Sequence, residues 1–572
     1  MPVHNSDIAE IFNEVADLLE ILEENPFRIR AYRNAARTVG DLSQSVVSMV
    51  EQAKDLTELP GIGKDLAGKI EEIVKKGALS QLQDLEDRIP PQLRRLMKIP
   101  GLGPKRVKAL YDKLGITNLE DLKKAGEEGK IMELKGFGEK TEKVILEEIG
   151  REKKEIRIKL NVAQEVGSDI VTYLKKVKDV KEVVVAGSYR RKKETVADLD
   201  VLAACKGSSK VIDAFVNYEN VGKVMAKGET RSTVILHSGI QMDLRAVPEA
   251  SYGAALHYFT GSKAHNIAIR SLGVKKGLKI NEYGVFKGKK RIAGKTEEEV
   301  FAQVDLPFIE PELRENWGEI EAAQKGKLPK LITLQEIRGD LHAHTKATDG
   351  RHTLEQMMEA ARNRGYQYLA ITDHSKRLSM THGFDAKRLA IQNVEIDRLN
   401  GKLKGFVVLK SIEVDILEEG SLDLPNSILK ELDLTVCSVH SKFNLSREKQ
   451  TERIIRAMDN PYFNIFAHPS GRLINEREPY DVDMERLMEA AKERGCVMEI
   501  NSHPDRLDLS DVHCKLAKDM GVKVVISTDA HSVADLELIQ FGVWQARRGW
   551  IEKEDVLNTL DCNILKKLIK RN

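Results

Sequence analysis

Cysteine is scarce: the five among 572 residues, Cys205, Cys437, Cys496, Cys514 and Cys562, are odd in number, widely spaced and form no C-x-x-C pair. That excludes a disulfide framework and reads as buried thiols in a reducing cytoplasm. Long apolar runs are missing too. No stretch approaches the roughly twenty residues a membrane helix needs, and Met1-Pro-Val-His-Asn-Ser6 lacks the charged-then-apolar start of an export signal. A cytoplasmic chain with no membrane association is expected. Charge of one sign is also lacking, since 91 Lys and Arg meet 89 Asp and Glu. The spread is uneven, however: residues 151–336 carry 33 basic against 25 acidic side chains, whereas 1–150 carry 23 against 27 and the remainder 35 against 37. A basic middle permits a phosphate-rich partner without demanding one.

What is present is length and histidine. A chain of 572 residues with 41% apolar side chains exceeds one core and supplies several, so three or more domains are expected. Ten of the fourteen histidines fall after residue 336, which suggests metal. Residues 6–50 are helical in period, with Ile8, Ile11, Phe12, Val15, Leu18, Leu19 and Leu22 on one core stripe. A glycine turn then recurs before amphipathic helices, as Gly61-Ile-Gly63, Gly101-Leu-Gly103 and Gly136-Phe-Gly138. Such turns expose backbone N–H groups at a helix start and let a phosphate approach without a Cβ in the way. The pattern resembles the helix-hairpin-helix motif, and Lys64, Lys69, Lys105 and Lys108 after the turns suit the DNA backbone.

From about 151 to 250 short β-rich runs alternate with helices, and there Gly187-Ser188-Tyr189-Arg190-Arg191 precedes Asp198-Leu-Asp200. Residues two apart on a strand share a face, so Asp198 and Asp200 converge. Asp243 in Ile-Gln-Met-Asp-Leu-Arg has similar surroundings. Three carboxylates at one point call for cations, and two Mg²⁺ or Mn²⁺ ions would activate a 3′-hydroxyl and neutralise a triphosphate. The Gly187-Ser188 turn and Arg191 would hold the leaving pyrophosphate. This set resembles the nucleotidyltransferase superfamily, and residues 1–318 resemble family X DNA polymerases. The narrower likeness rests on Tyr258-Phe259-Thr260-Gly261-Ser262, on Asn266 with Arg270, and on Lys279-Ile-Asn281-Glu282-Tyr283-Gly284. The resemblance implies that Tyr258 and Phe259 gate the sugar, with Gly261 in the same segment. It places Asn266 and Arg270 against the nascent pair and Lys69 at the Schiff-base position of a deoxyribose-phosphate lyase. Lys192 stands where the family often has glycine, Lys263 replaces an acidic residue, and Asp65 interrupts the basic patch near Lys69.

After 337, apolar strands alternate with helical patterns, as in an α/β domain with a parallel sheet or barrel. His342-Ala-His344 follows a short apolar stretch, with Asp349 close behind, and His374, Glu413, His440, His468, Asp529 and His531 sit at the ends of apolar runs. In a parallel barrel those ends share one rim. Mixed His and carboxylate ligation suits Mn²⁺, Zn²⁺ or Fe²⁺ and points to phosphoester hydrolysis. The set resembles a PHP domain, which implies a distorted barrel, three ions and these nine residues as ligands, with Arg377, His382, Asn501, His503 and Arg506 lining the pocket. His352 and His513 read as surface or core.

The expected architecture is multidomain α/β. It comprises a helical DNA-binding, lyase-like domain (1–82), a fingers-like helix-hairpin-helix region (83–150), a nucleotidyltransferase palm (151–250), a thumb (251–318), a charged linker (319–336) and a PHP barrel (337–572). The order resembles family X polymerases with a C-terminal PHP domain. It implies a monomer that fills short gaps in gapped or nicked DNA from dNTPs, with 3′–5′ exonuclease or related end cleaning and abasic-site cleavage. A small-molecule phosphatase such as histidinol phosphatase, or a DNA-binding scaffold with decayed sites, remain as alternatives.

Overall fold

A computed structural model describes residues 5–22, 24–40, 46–88, 96, 102, 104–134, 137–138, 141–142, 145–146, 157–377 and 381–570. The chain divides into two compact units, Met1–Ile156 and Arg157–Asn572. In the first, helices Asn5–Ile21 and Pro26–Gly40 pack Phe12 edge-on against Tyr32, with ring centroids 5.6 Å apart. Ile8, Phe12, Val15, Leu18 and Leu19 of the sequence stripe are buried, while Ile11 and Leu22 flank them. Leu56, Ile62, Leu110 and Ile145 belong to the same core, so both helical stretches of this unit are held by one apolar cluster. Gly61 has a φ of +78°, which admits glycine readily, and Gly63 caps the start of helix Lys64–Lys76. The Gly138 carbonyl accepts from the Thr141 and Glu142 amides, opening a helical turn. Gly101, Gly103, Gly136 and the side chain of Lys105 lie outside the described residues.

The second unit begins with a five-stranded sheet of β1 (Val180–Val185), β2 (Asp198–Cys205), β3 (Val221–Lys227), β4 (Arg231–Leu236) and β5 (Gln241–Val247), in the order β1-β2-β5-β4-β3. Alternation along β2 explains its place. Leu199, Val201 and Ala203 face the helices Leu160–Leu174 and Ser208–Val216, and Leu202 turns to the opposite side against Ala255. The parallel register sets Asp200 opposite Asp243 and Asp198 opposite Gln241. Helices Tyr252–Thr260 and Lys263–Lys275 and an antiparallel sheet of β6 (Leu278–Asn281), β7 (Gly284–Lys287) and β8 (Lys290–Ala293) follow. The 319–336 segment is packed, in contrast to an open linker: Ile320, Ala323 and Leu331 join the preceding core with Trp550, and Leu331 bridges to Glu552.

The remainder is a barrel of eight parallel strands in two sheets. One holds β9 (Gly339–Asp340), β10 (Tyr368–Ile371) and β11 (Val407–Lys410). The other holds β12 (Glu413–Asp415), β13 (Val436–Ser438), β14 (Ile465–Phe466), β15 (Val497–Asn501) and β16 (Val524–Ser527). Single parallel bridges, His374 to Glu413 and Ala343 to Ala530, join the sheets on both sides. The closure is irregular because it runs through residues just past the strand ends, which are the residues of chemical interest.

Candidate active sites

The first site forms where β1 turns into the short helix Gly187–Arg190 beside β2. Gly187 has a φ of +58°, and a Cβ there would stand 2.4 Å from Asp200 Oδ2. Only glycine lets the turn approach the carboxylate this closely. Burial first, then Asp198 and Asp243, push Asp200 up to about 7, and Asp198 is raised by burial and Asp243. Clustered acids so perturbed are the electrostatic signature of a cation site. Asp243 is aimed by Thr233, by Gln241 Nε2 at 2.9 Å and by Arg231 at 3.2 Å.

A cavity of about 380 Å³ opens next to Asp200, lined by Gly187, Ser188, Arg191, Tyr258, Phe259, Gly261, Lys263, Asn266 and Arg270. Every nucleotide-binding residue expected from the sequence meets here. Asn266 Nδ2 donates to the Tyr258 carbonyl at 2.7 Å and so fixes the aromatic segment, while its buried Oδ1 lacks a partner. Phe259 lies edge-on to Tyr258 and under the Arg245 guanidinium. Arg191 lines the cavity, but its guanidinium is held by the Thr260 carbonyl (2.6 Å) and Glu315 (3.0 Å).

The second site gathers all nine expected donors at the barrel rim. His374 Nδ1 lies 2.9 Å and His468 Nε2 3.1 Å from Glu413, and His440 Nε2 lies 3.3 Å from it. His342 and His344 approach Asp529 at 3.4 and 3.2 Å, and His374 and His531 approach Asp349 at 3.0 and 3.4 Å. Among the described residues three groups offer ligand atoms within 4.8 Å of one another: His344, Asp349, His374 and His531; His342, His344 and Asp529; His374, Glu413 and His440. Asp198, Asp200 and Asp243 do not form such a group.

Orphaned nitrogens test the fit. His342 Nε2, both nitrogens of His344 and His374 Nδ1 are buried and make no well-aligned hydrogen bond although carboxylates stand 2.9 to 3.6 Å away, an arrangement that suits lone pairs and carboxylates turned toward a shared metal. Burial drags His344 down to about 3, aided by His531 and His374. For His374, His440 and His531 burial also pulls downward, but Glu413, Asp349, Asp415 and Asp529 outweigh it and leave them at about 10, 9 and 9.

Supporting groups complete the cluster. Glu499, absent from the sequence expectation, is buried, sits 2.7 Å from His342 Nδ1 and accepts from the His468 amide. It orients the His342 imidazole, the usual role of an outer carboxylate, and fixes the main chain at His468. Asp415 lies 3.3 Å from His440 Nδ1. Of the expected pocket residues, Asn501 donates to Asp529 at 3.2 Å, Arg506 stands 3.5 Å from it, and the His503 amide bonds to Asn501. The Arg377 amide donates to Asp423, and the His382 carbonyl accepts from Arg388, so both are held through their main chains. His352 accepts from the Val533 amide, and His513 is part of helix Asp511–Met520.

In the helical unit, Lys69 pairs with Asp65 and lies 5.2 Å from the Tyr32 ring centre. Burial favours the neutral amine, but Asp65 and Tyr32 outweigh it and raise the pKa.

The fold and its two centres define a nucleotidyl transferase joined to a metal-dependent phosphoesterase. Family models agree segment by segment: helix-hairpin-helix domain over 3–79, SAM-like helix-hairpin-helix tandem over 93–151, DNA polymerase beta thumb over 255–315 and PHP domain over 340–503. The DNA polymerase/3′-5′ exonuclease PolX of Bacillus subtilis (strain 168) is 37% identical over 575 residues, covering 100% of both chains. A probable phosphatase of Thermoanaerobacter sp. (strain X514) is 34% identical over 242 residues, 40% of this chain and 94% of that protein. The chain belongs to the PolX family of DNA polymerase/3′-5′ exonucleases.

Proposed function

We propose that the chain fills short gaps in damaged DNA by template-directed nucleotidyl transfer at Asp198, Asp200 and Asp243, and prepares 3′ ends at the histidine-rich centre. The observation that carries this reading is the presence in one chain of neighbouring aspartates beside a cavity of about 380 Å³ and of clustered histidine and carboxylate donors at a barrel rim. Mg²⁺ or Mn²⁺ held by the three aspartates, and three Mn²⁺, Zn²⁺ or Fe²⁺ ions held by His342, His344, Asp349, His374, Glu413, His440, His468, Asp529 and His531, would supply Lewis-acid charge to in-line displacement and to hydrolysis respectively.

The protein's own part is positioning. Gly187 and Ser188 bring backbone to the triphosphate, Tyr258 and Phe259 wall off the sugar, Asn266 presents its free Oδ1, and Lys263 and Arg270 add positive charge at the cavity wall. Gly61, Gly63 and Lys64 grip a DNA phosphate in the helical unit, with Gly101, Gly103, Lys105, Gly136 and Gly138 repeating the device. At the rim, Glu499 and Asp415 hold imidazoles in the tautomer that frees the opposite nitrogen. Lys69 is the amine for abasic-site cleavage, with Asp65 as the group that must let it go. The substrate is gapped or nicked DNA, with dNTPs, and the working form is a cytoplasmic monomer.

A labelled primer in a one-nucleotide gap with a 5′-phosphate, Mn²⁺ and dNTPs tests the assignment. Asp198→Ala/Asp200→Ala is expected to lose extension while still shortening the primer. Extension by that variant would move the transferase centre elsewhere.

A further inference from the structure

We infer that Arg548, a residue of the barrel domain, is a positioning residue for the nucleotidyl-transfer centre. The inference rests on the function proposed above, because it concerns how Arg191 is held at the nucleotide cavity.

Arg548 ends the helix Ile539–Arg548 and is almost wholly buried. Its guanidinium reaches across to the palm and thumb. Nη1 donates to the carbonyl of Arg191 at 2.6 Å and to Glu315 Oε1 at 3.1 Å, while Nε and Nη2 both donate to Asp511. Glu315 Oε1 is the same atom that receives Arg191 Nε at 3.0 Å. Arg548 therefore holds Arg191 at both its main chain and, through Glu315, its side chain. One turn earlier on the same helix, Trp544 lies 3.9 Å from the ammonium of Lys192, the residue after Arg191. Lys192 has a φ of +59°, which explains why glycine suits this position, and its side chain is sandwiched between Trp544 and Tyr189. The phosphate turn thus ends against a barrel helix.

The chemistry follows from what a planar fork can do. A guanidinium bridges three acceptors in fixed directions, and an ammonium cannot, although it keeps the charge that Asp511 needs. Without the bridge Arg191 keeps its bonds to the Thr260 carbonyl and Glu315 but loses the anchor on its main chain and on Glu315, so its guanidinium shifts at the cavity wall and nucleotide binding weakens, while the aspartates that carry the displacement stay where β2 and β5 put them. The effect belongs in KM for dNTP, by about ten-fold for one charge-assisted hydrogen bond network. The barrel's own centre uses none of these side chains.

The test is single-nucleotide insertion and 3′ shortening by the full-length chain as wild type, Arg548→Lys, Trp544→Leu and Asp200→Asn. The expected result is a dNTP KM raised about ten-fold in Arg548→Lys and several-fold in Trp544→Leu, with kcat and 3′ shortening near wild type and Asp200→Asn inactive in insertion. Unchanged KM in both helix variants, or a proportional fall of insertion and shortening in both, would overturn the inference while leaving the proposed function standing. Insertion by Asp200→Asn would overturn the proposed function itself, and with it this inference.

Discussion

Replacing Gly187 with alanine adds one methyl group at the point where the turn proposed to hold phosphate meets the carboxylates proposed for nucleotidyl transfer. Its Cβ would stand 2.4 Å from Asp200 Oδ2 and 3.3 Å from Asp200 Cγ, against an ordinary contact of at least 3.4 Å, so turn and carboxylate must separate by 3.4 − 2.4 = 1.0 Å. The φ of +58° adds a left-handed penalty of about 1–2 kcal/mol for alanine, enough to lower the melting temperature by a few degrees but not to unfold a unit with so large a core. The displacement matters more than the strain, because a shift of about 1 Å at a reacting centre costs on the order of 100-fold in rate. Gap filling measured under single-turnover conditions is expected to fall by that factor, and 3′ shortening to continue. Gly207→Ala, in the same sheet domain but with open space around its Cβ position, is the matched control and is expected to be silent. Gap filling near the wild-type rate in Gly187→Ala would refute the claim that Asp200 is a metal-binding carboxylate held by close approach of this turn.

Gly63→Ala meets nothing within 4 Å, so the melting temperature is expected to stay put while DNA affinity drops about five-fold through a lost phosphate contact; equal affinity on a gapped duplex would remove Gly63 from the DNA interface. At the barrel rim, His374, His440 and His531 hold protons up to about 10, 9 and 9 in the metal-free cluster. Protons therefore compete with metal below those values, and Mn²⁺ affinity by titration calorimetry is expected to rise from pH 6 to pH 9 with proton release; a flat affinity contradicts imidazole ligation. Asp65→Asn removes a carboxylate that raises the Lys69 pKa, so a larger share of the amine is neutral near pH 7.5 and borohydride trapping on abasic DNA is expected to increase; no increase, or trapping that persists in Lys69→Ala, would separate Lys69 from the lyase chemistry.

Much of this was legible from residue order because one geometric rule did the selection. Ligands of a parallel barrel sit at strand ends, and His374, Glu413, His440, His468 and Asp529 all terminate or follow apolar runs. Asp198 and Asp200 are legible through the period of two along a strand, and Asp243 through its similar surroundings in Ile-Gln-Met-Asp-Leu-Arg. Glu499 escaped because it lies inside β15, where a carboxylate between Met498 and Ile500 carries no end-of-strand signal; the one clue was a charge within an apolar strand. The state of Arg191 escaped for a different reason. Glu315 and Arg548 are distant in sequence, and only the packed fold brings them to it. The charged appearance of 319–336 hid Ile320, Ala323 and Leu331, whose spacing is that of a short buried helix face and the extended strap after it. Lys192 looked like a departure from a glycine position, and its contact with Trp544 shows what the longer side chain does there.

The proposed function has one chain first repair a 3′ end and then extend it, at two separate centres. The most direct measurement is a time course on a gapped duplex whose primer carries a blocked 3′ end, beside the same duplex with a free 3′-hydroxyl, for wild type and His342→Ala/His344→Ala in Mn²⁺ and dNTPs. Wild type is expected to unblock and extend both, and the variant to extend only the free primer, at the wild-type rate. Extension of the blocked primer by the variant, or failure on the free one, would contradict the proposed function.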